Sequence, residues 1–257
     1  MDLGLNGKRA LVGGGSAGLG AGIAMILAAE GVRVAIVGRT KERLDAAAAA
    51  AATGAVPIVA DLGLAEGPPS AVTSAVEELG GLDLLVVNSG GPPPGTFEQL
   101  DEAAWARAIE GTLLSTVRFI RAALPHLREG RDPSIIIVLS SSAREPVAGL
   151  TSSNTLRPGL AGLVKDLAAD IAPIRINGVA PGRFATDRVR HLDGIHAAAE
   201  GLTIDEVRRR VEARIPLGRY GATDEMGRVA AFLLSPAASY VTGAIVPVDG
   251  GMVRALP

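Results

Sequence analysis

Cysteine is absent from the 257 residues, which excludes disulfides, thiolate nucleophiles and thiolate metal sites. Histidine is almost as scarce. His126, His191 and His196 are the full set, too few to build a zinc site, so no metal is expected. Aromatic residues are few as well, with Trp105 the single Trp and Tyr220 and Tyr240 the only Tyr. Neither sign of charge dominates: 25 Lys and Arg against 27 Asp and Glu give a formal net charge of -2. That balance offers no electrostatic footprint for nucleic acid or an anionic membrane. No apolar run is long enough to span a bilayer and no charged-then-apolar leader opens the chain, so the expected location is the cytoplasm.

The positive mean hydropathy of +0.32 comes from alanine-rich segments, and the run Ala46 to Ala52 is a strong helix former rather than low-complexity disorder. The stretch around which the chain is organised is Lys8-Arg-Ala-Leu-Val-Gly-Gly-Gly-Ser-Ala-Gly-Leu-Gly20. A short apolar strand enters a glycine turn, the turn opens an alanine-rich helix to Glu30, and Val32-Arg-Val-Ala-Ile-Val37 forms a second strand. This βαβ order is the one a dinucleotide site requires. Gly14 permits the tight turn, Gly18 admits a pyrophosphate to the backbone, and Gly20 lets the helix lie close to the strand. Ser16 and Leu19 in the same turn are further candidate contacts.

Gly38-Arg39 follows the second strand. An acid here would bond a ribose 2′-hydroxyl, whereas an Arg fork suits a 2′-phosphate and predicts NADP; the other reading is a surface residue leading into the helix Lys41-Glu-Arg-Leu-Asp45. Further strands are expected at Val56 to Ala60, Leu82 to Val87, Pro133 to Leu139 and Ile174 to Val179. Helices are expected at Asp101 to Leu127, at about Ser152 to Ile171 and at Asp224 to Leu234. In the first of these Ala104, Ala108, Leu113, Leu114 and Val117 are candidate buried positions. The fold class is α/β, a single domain over residues 1–257 with a doubly wound parallel (Rossmann) sheet of roughly seven strands. The charged, glycine-interrupted segment at about 188–219 is expected to form a helical lid.

The spacing Gly14-x-x-x-Gly18-x-Gly20 is one residue wider than the common dinucleotide fingerprint and resembles the short-chain dehydrogenase/reductase family. That family's loop usually begins Thr-Gly, where this chain has Gly13-Gly14. The resemblance covers the whole chain, through Asn88-Ser-Gly-Gly91, Ala180-Pro-Gly182 and the closing Tyr240 to Gly251. It implies that Asp61 holds the adenine amino group and Leu62 packs the ring, although Asp61 also suits the N-cap of the next helix. It implies that Asn88 steadies the sheet, Gly90 lies near the nicotinamide ribose, and Pro181, Gly182, Phe184 and Thr186 clasp the carboxamide. Pro92-Pro93-Pro94 then forms a stiff wall at the substrate mouth.

Carbonyl reduction in this family uses a Ser, a Tyr, a Lys four residues after the Tyr, and an Asn. The Ser position falls on Ser140, with the register open by one in Ser140-Ser141-Ser142. The Tyr and Lys positions fall on Ser153 and Arg157, and the Asn position on Thr112. Ser140, Ser153 and Arg157 are therefore the catalytic candidates, with Arg157 also a donor to the cofactor ribose. A Ser hydroxyl is too weak an acid to replace a phenol, and Arg stays protonated.

Three readings follow: hydride transfer with the proton taken from water or from His191, Asp193 or His196; a lyase or hydratase reaction in which Ser140, Arg144, Arg157 and Arg183 polarise an anionic or thioester substrate; or a silent NADP-binding protein. The first, an NADP-dependent oxidoreductase of small carbonyl or 3-oxoacyl substrates, is the expectation carried forward. The family label nearest to it is a divergent 3-oxoacyl-acyl-carrier-protein reductase. Family analogy further implies a homotetramer built through the helices at 101–127 and 152–171.

Overall fold

The computed structural model describes residues 2–255. Seven strands form one sheet: β1 (Arg9–Val12), β2 (Arg33–Gly38), β3 (Ala55–Val59), β4 (Leu84–Val87), β5 (Ser134–Val138), β6 (Arg175–Pro181) and β7 (Ile245–Val248). The order is β3-β2-β1-β4-β5-β6-β7, with every neighbouring pair parallel. All residues of β4 and β5 are buried, as continuous apolar runs must be when helices cover both faces of a parallel sheet.

The helices are α1 (Gly18–Ala29), α2 (Lys41–Ala50), α3 (Gly67–Leu79), α4 (Glu102–Ala108), α5 (Ser115–Arg128), α6 (Thr151–Asp170), α7 (Asp187–Glu200), α8 (Ile204–Glu212) and α9 (Thr223–Leu234). On one face Ile23 and Leu27 of α1, Leu44 of α2 and Met226 and Leu234 of α9 pack against Val34, Ile36 and Val86. On the other, Leu79 of α3, Phe119 and Ile120 of α5, and Leu160 and Val164 of α6 cover Leu85, Val87 and Ile137. Each fully buried Leu, Ile or Phe contributes about 1.5–3 kcal/mol through lost apolar exposure. Among the described residues no helix is long and apolar enough to cross a membrane.

The helix expected at 101–127 departs from a simple amphipathic pattern. Residues 109–114 form a π-helical turn between α4 and α5. Its extra residue advances the helical phase, so Thr112, Ser115, Thr116, Phe119 and Ile120 face inward while Leu113, Leu114 and Val117 are only half-buried. Ala104 and Ala108, before the turn, are buried as the sequence predicts.

Strand order reverses between β1 and β4, and in such sheets a crevice opens beyond the carboxyl ends of the two strands. Gly13 N–H donates to the Val86 carbonyl at 2.9 Å, and Asn88 Nδ2 donates to the Gly13 carbonyl at 3.1 Å. The loops after β1 and β4 are thereby fixed to each other at the floor of that crevice.

Candidate functional site

The chain turns out of β1 at Gly14, whose φ of +58° glycine adopts without strain. A Cβ on Gly20 would collide with the Gly14 carbonyl, so α1 can rise directly from the turn only with glycine at that position. The N-terminus of α1 has no side-chain cap and no acid in its first turn, leaving its backbone donors and positive dipole end unopposed.

Two cavities of about 340 and 350 Å³ share Gly14, Asn88, Ser89, Gly90 and Gly91, forming one continuous cleft over the strand ends. The first is walled by Ser16, Arg39, Asp61 and Leu62. Gly18, Leu19, Ser140, Ser153, Arg157, Pro181, Gly182, Phe184 and Thr186 line the second. Of the dinucleotide contacts singled out from the sequence and the catalytic candidates Ser140, Ser153 and Arg157, Gly20 alone stays outside the cleft, buried behind the turn.

At the outer end Arg39 is exposed and makes no hydrogen bond or ion pair among the described residues. Asp61 does not cap the following helix, which begins at Gly67. Its Oδ1 instead accepts from Gly63 N–H at 2.9 Å, closing a local turn.

At the inner end Ser140 Oγ accepts from Ser142 N–H at 3.1 Å and starts a single 3-10 turn over Ser141–Ala143. Its own O–H remains free to donate into the cleft. That turn also settles which serine meets Ser153: the Ser142 and Ser153 hydroxyls hydrogen-bond at 2.9 Å, both buried. One turn further along α6, Arg157 is 6% exposed. Its Nη1 donates to the Val138 carbonyl at 2.7 Å, whereas its Nε has no partner. Burial, reinforced by the charge of Arg188, lowers its pKa to about 10. Thr112 Oγ1, at the π turn, is a second buried polar atom without a partner.

The wall after β4 is held on two sides. Ser152 Oγ donates to the Pro93 carbonyl at 2.9 Å and Arg188 Nη2 to the Pro92 carbonyl at 2.7 Å. A backbone bridge joins Gly95 to Leu150, with Gly95 N–H donating to the Gly149 carbonyl at 2.7 Å.

Several candidates from the sequence do not meet in the cleft. His191 is exposed on α7, and His196 lines neighbouring cavities instead. Asp193 is buried and accepts from Arg183 Nη1 at 3.1 Å and from the Tyr220 hydroxyl at 3.0 Å, so both its oxygens are engaged structurally. None of the three lines the cleft as a proton donor to it. Arg144 turns away and donates to the Ile245 carbonyl at 3.0 Å, which removes it as a polarising group; Arg183 does line the cleft but is paired with Asp193. Sequence reasoning missed Arg188 and Ser142. The adjacency of Arg188 to Thr186 was the available signal for the first, and nothing in the serine run distinguishes the second.

A family profile described as enoyl-(acyl carrier protein) reductase matches residues 14–253. A 3-oxoacyl-[acyl-carrier-protein] reductase of Aquifex aeolicus is 31% identical over 260 residues, covering 98% of this chain and all of that protein. The chain belongs to the short-chain dehydrogenase/reductase family. Another relative, cis-4-hydroxycyclohexanecarboxylate dehydrogenase of Sinomonas cyclohexanicum, is 35% identical over 94% of this chain and 95% of its own length. Among solved structures, L-sorbose reductase from Gluconobacter frateurii, complexed with NADPH and L-sorbose, superimposes with a TM-score of 0.93 at 28% identity, covering all of both chains.

Proposed function

We propose that the cleft binds NADP(H) and that the protein is an NADP-dependent oxidoreductase acting on small carbonyl or 3-oxoacyl substrates, with an atypical proton route. The observation that carries this reading is the continuity of the cleft from Arg39, past the uncapped α1 N-terminus, to Ser140 and Arg157. The residues fit the cofactor. Gly14, Ser16, Gly18 and Leu19 offer a cradle for the diphosphate, kept open by glycine at position 20. Unpaired Arg39 offers a fork to a 2′-phosphate, and Asp61 and Leu62 take the adenine. Asn88, Gly90, Arg157, Pro181, Gly182, Phe184 and Thr186 surround the nicotinamide end. The relation to L-sorbose reductase, solved with NADPH, supports the same choice.

Bound there, the dinucleotide supplies a hydride to a carbonyl carbon. Ser140 donates its O–H to the carbonyl oxygen and orients it. Ser153 stands where the family places a phenol, with its hydroxyl tied to Ser142, so the proton comes from water entering the cleft. The α7–α8 segment acts as a lid over the substrate side, and the protein works in the cytoplasm as a homotetramer through α4–α5 and α6. A silent NADP-binding protein is the second reading, favoured by that same commitment of Ser153.

Fluorescence titration with NADPH and NADH, followed by NADPH oxidation against ketones, diketones and 3-oxoacyl thioesters, tests the reading. Binding with preference for NADPH and oxidation by at least one class is expected. Absence of nucleotide binding overturns it, and binding without oxidation by any class selects the silent protein.

A further inference from the structure

The inner half of the cleft holds more positive charge than it neutralises. Arg157 is nine-tenths buried, with Nε unpartnered and a single carbonyl on Nη1. Arg188, in the first turn of α7, reaches across to the loop after β4. A Cβ on Gly91 would come within 3.1 Å of its guanidinium, so that glycine makes room for it. Its one hydrogen bond is to the neutral Pro92 carbonyl. Neither arginine has a carboxylate partner among the described residues, in contrast to Arg183, which is matched by Asp193. Asp187, the only acid lining this cavity among the described residues, is exposed and also borders the groove between α1 and α2. One buried and one half-buried guanidinium facing one cavity are costly unless an anion joins them.

We propose that Arg157 and Arg188 form an anion subsite for the substrate, so that the carbonyl compound this protein takes carries a carboxylate. The inference rests on the nucleotide reading above. The planar forks of two arginines match the two oxygens of a carboxylate, and Val138, Leu139, Val147, Leu150 and Leu192 give the same cavity an apolar stretch of wall. The occupant is therefore a short oxo acid with a hydrocarbon body, its carboxylate on the arginines and its carbonyl within reach of Ser140. The cofactor diphosphate is the other anion at hand. The uncapped α1 N-terminus already provides for it, whereas Arg157 sits beside Ser153 and donates to the end of β5.

The test is calorimetric titration of the protein saturated with NADP+, using benzoate and the isosteric benzamide as probes. NADPH oxidation by 3-oxo- and 4-oxopentanoate is then compared with that by their methyl esters. Benzoate is expected to bind about tenfold or more tightly than benzamide, a gain typical of a charge-assisted pair, and the acids are expected to outperform the esters. Arg188→Gln, a change at a half-exposed side chain, should bring the two probes to within about threefold while NADPH fluorescence binding changes by no more than that. Arg157→Lys, which keeps the charge but not the fork, should give an intermediate preference. Equal binding of benzoate and benzamide by the unaltered protein overturns the proposal. So does an Arg188→Gln protein that loses NADPH affinity but keeps the probe preference, since the anion is then the diphosphate. Loss of NADPH binding by the unaltered protein would instead sink the nucleotide reading itself.

Discussion

Tyr220 to Phe is the substitution whose effect follows most directly from the structure. The Tyr220 ring is 6% exposed and its hydroxyl donates to Asp193 Oδ2 at 3.0 Å, while Arg183 Nη1 bonds Oδ1 of the same carboxylate at 3.1 Å. This trio, with Asp193 and Tyr220 buried and Arg183 half-buried, joins α7, the segment after β6 and the chain entering α9. Removing the hydroxyl deletes a hydrogen bond to a charged group and leaves a carboxylate oxygen buried without that partner, a loss of about 1.5–3 kcal/mol. For a chain of this size about 2 kcal/mol lowers Tm by about 4–8 °C.

The pH dependence supplies an independent check. Burial first, then the hydrogen bond to Asp193, raises the Tyr220 pKa above its ordinary value. A folded-state pKa above the unfolded one contributes stability that is whole below about pH 10 and declines as pH rises beyond it. The difference between the unaltered protein and Tyr220→Phe should therefore be constant through neutral pH and shrink in alkali. Thermal and urea unfolding of both proteins from pH 7 to 11 measure it. A Tm change below about 1 °C at neutral pH, or a difference that grows in alkali, refutes the reasoning.

Three further outcomes follow from the cleft. Arg39→Asp should weaken NADPH binding by roughly 10–100-fold, the worth of a charge-assisted fork, with little effect on NADH; equal losses in a fluorescence titration would show that Arg39 does not contact the 2′-phosphate. Gly20→Ala drives a methyl group into the Gly14 carbonyl and should cost about 1–3 kcal/mol of stability by overpacking, together with loss of NADPH binding; a protein unchanged in both would mean that the turn yields freely. Replacing Ser153 by Tyr and Arg157 by Lys together should raise kcat at least about tenfold, since a positioned general acid contributes on the order of 100-fold or more. No gain would mean that the pocket serves a chemistry other than family-type proton transfer.

The sequence carried the sheet and the position of the cleft because both depend on local signals. Glycines at 14, 18 and 20 between apolar runs specify a turn and a close helix, and uninterrupted apolar strands such as 84–87 can only be central and parallel. What it did not carry depends on pairings between distant segments. The π turn at 109–114 shifts the helical phase by one residue, so a uniform period misplaces Leu113, Leu114 and Val117. Ser140, Ser141 and Ser142 are chemically alike, and only the 3-10 turn decides that Ser142 meets Ser153. Asp193 looks like a candidate acid until Tyr220, 27 positions away, and Arg183 are seen to occupy it.

The three consecutive prolines after β4 have a consequence for traffic into the cleft. Proline lends no N–H, so the hydrogen bonds that anchor Pro92 and Pro93 go to their carbonyls, which Arg188 of α7 and Ser152 of α6 reach. Ser152 and the Gly95–Leu150 bridge fasten this rail to α6, which is itself packed into the core, whereas the Arg188 side is fastened by one hydrogen bond. The rail is thus held firmly on the α6 side, and an anion that takes up the Arg188 guanidinium competes with a single neutral carbonyl, that of Pro92, for it.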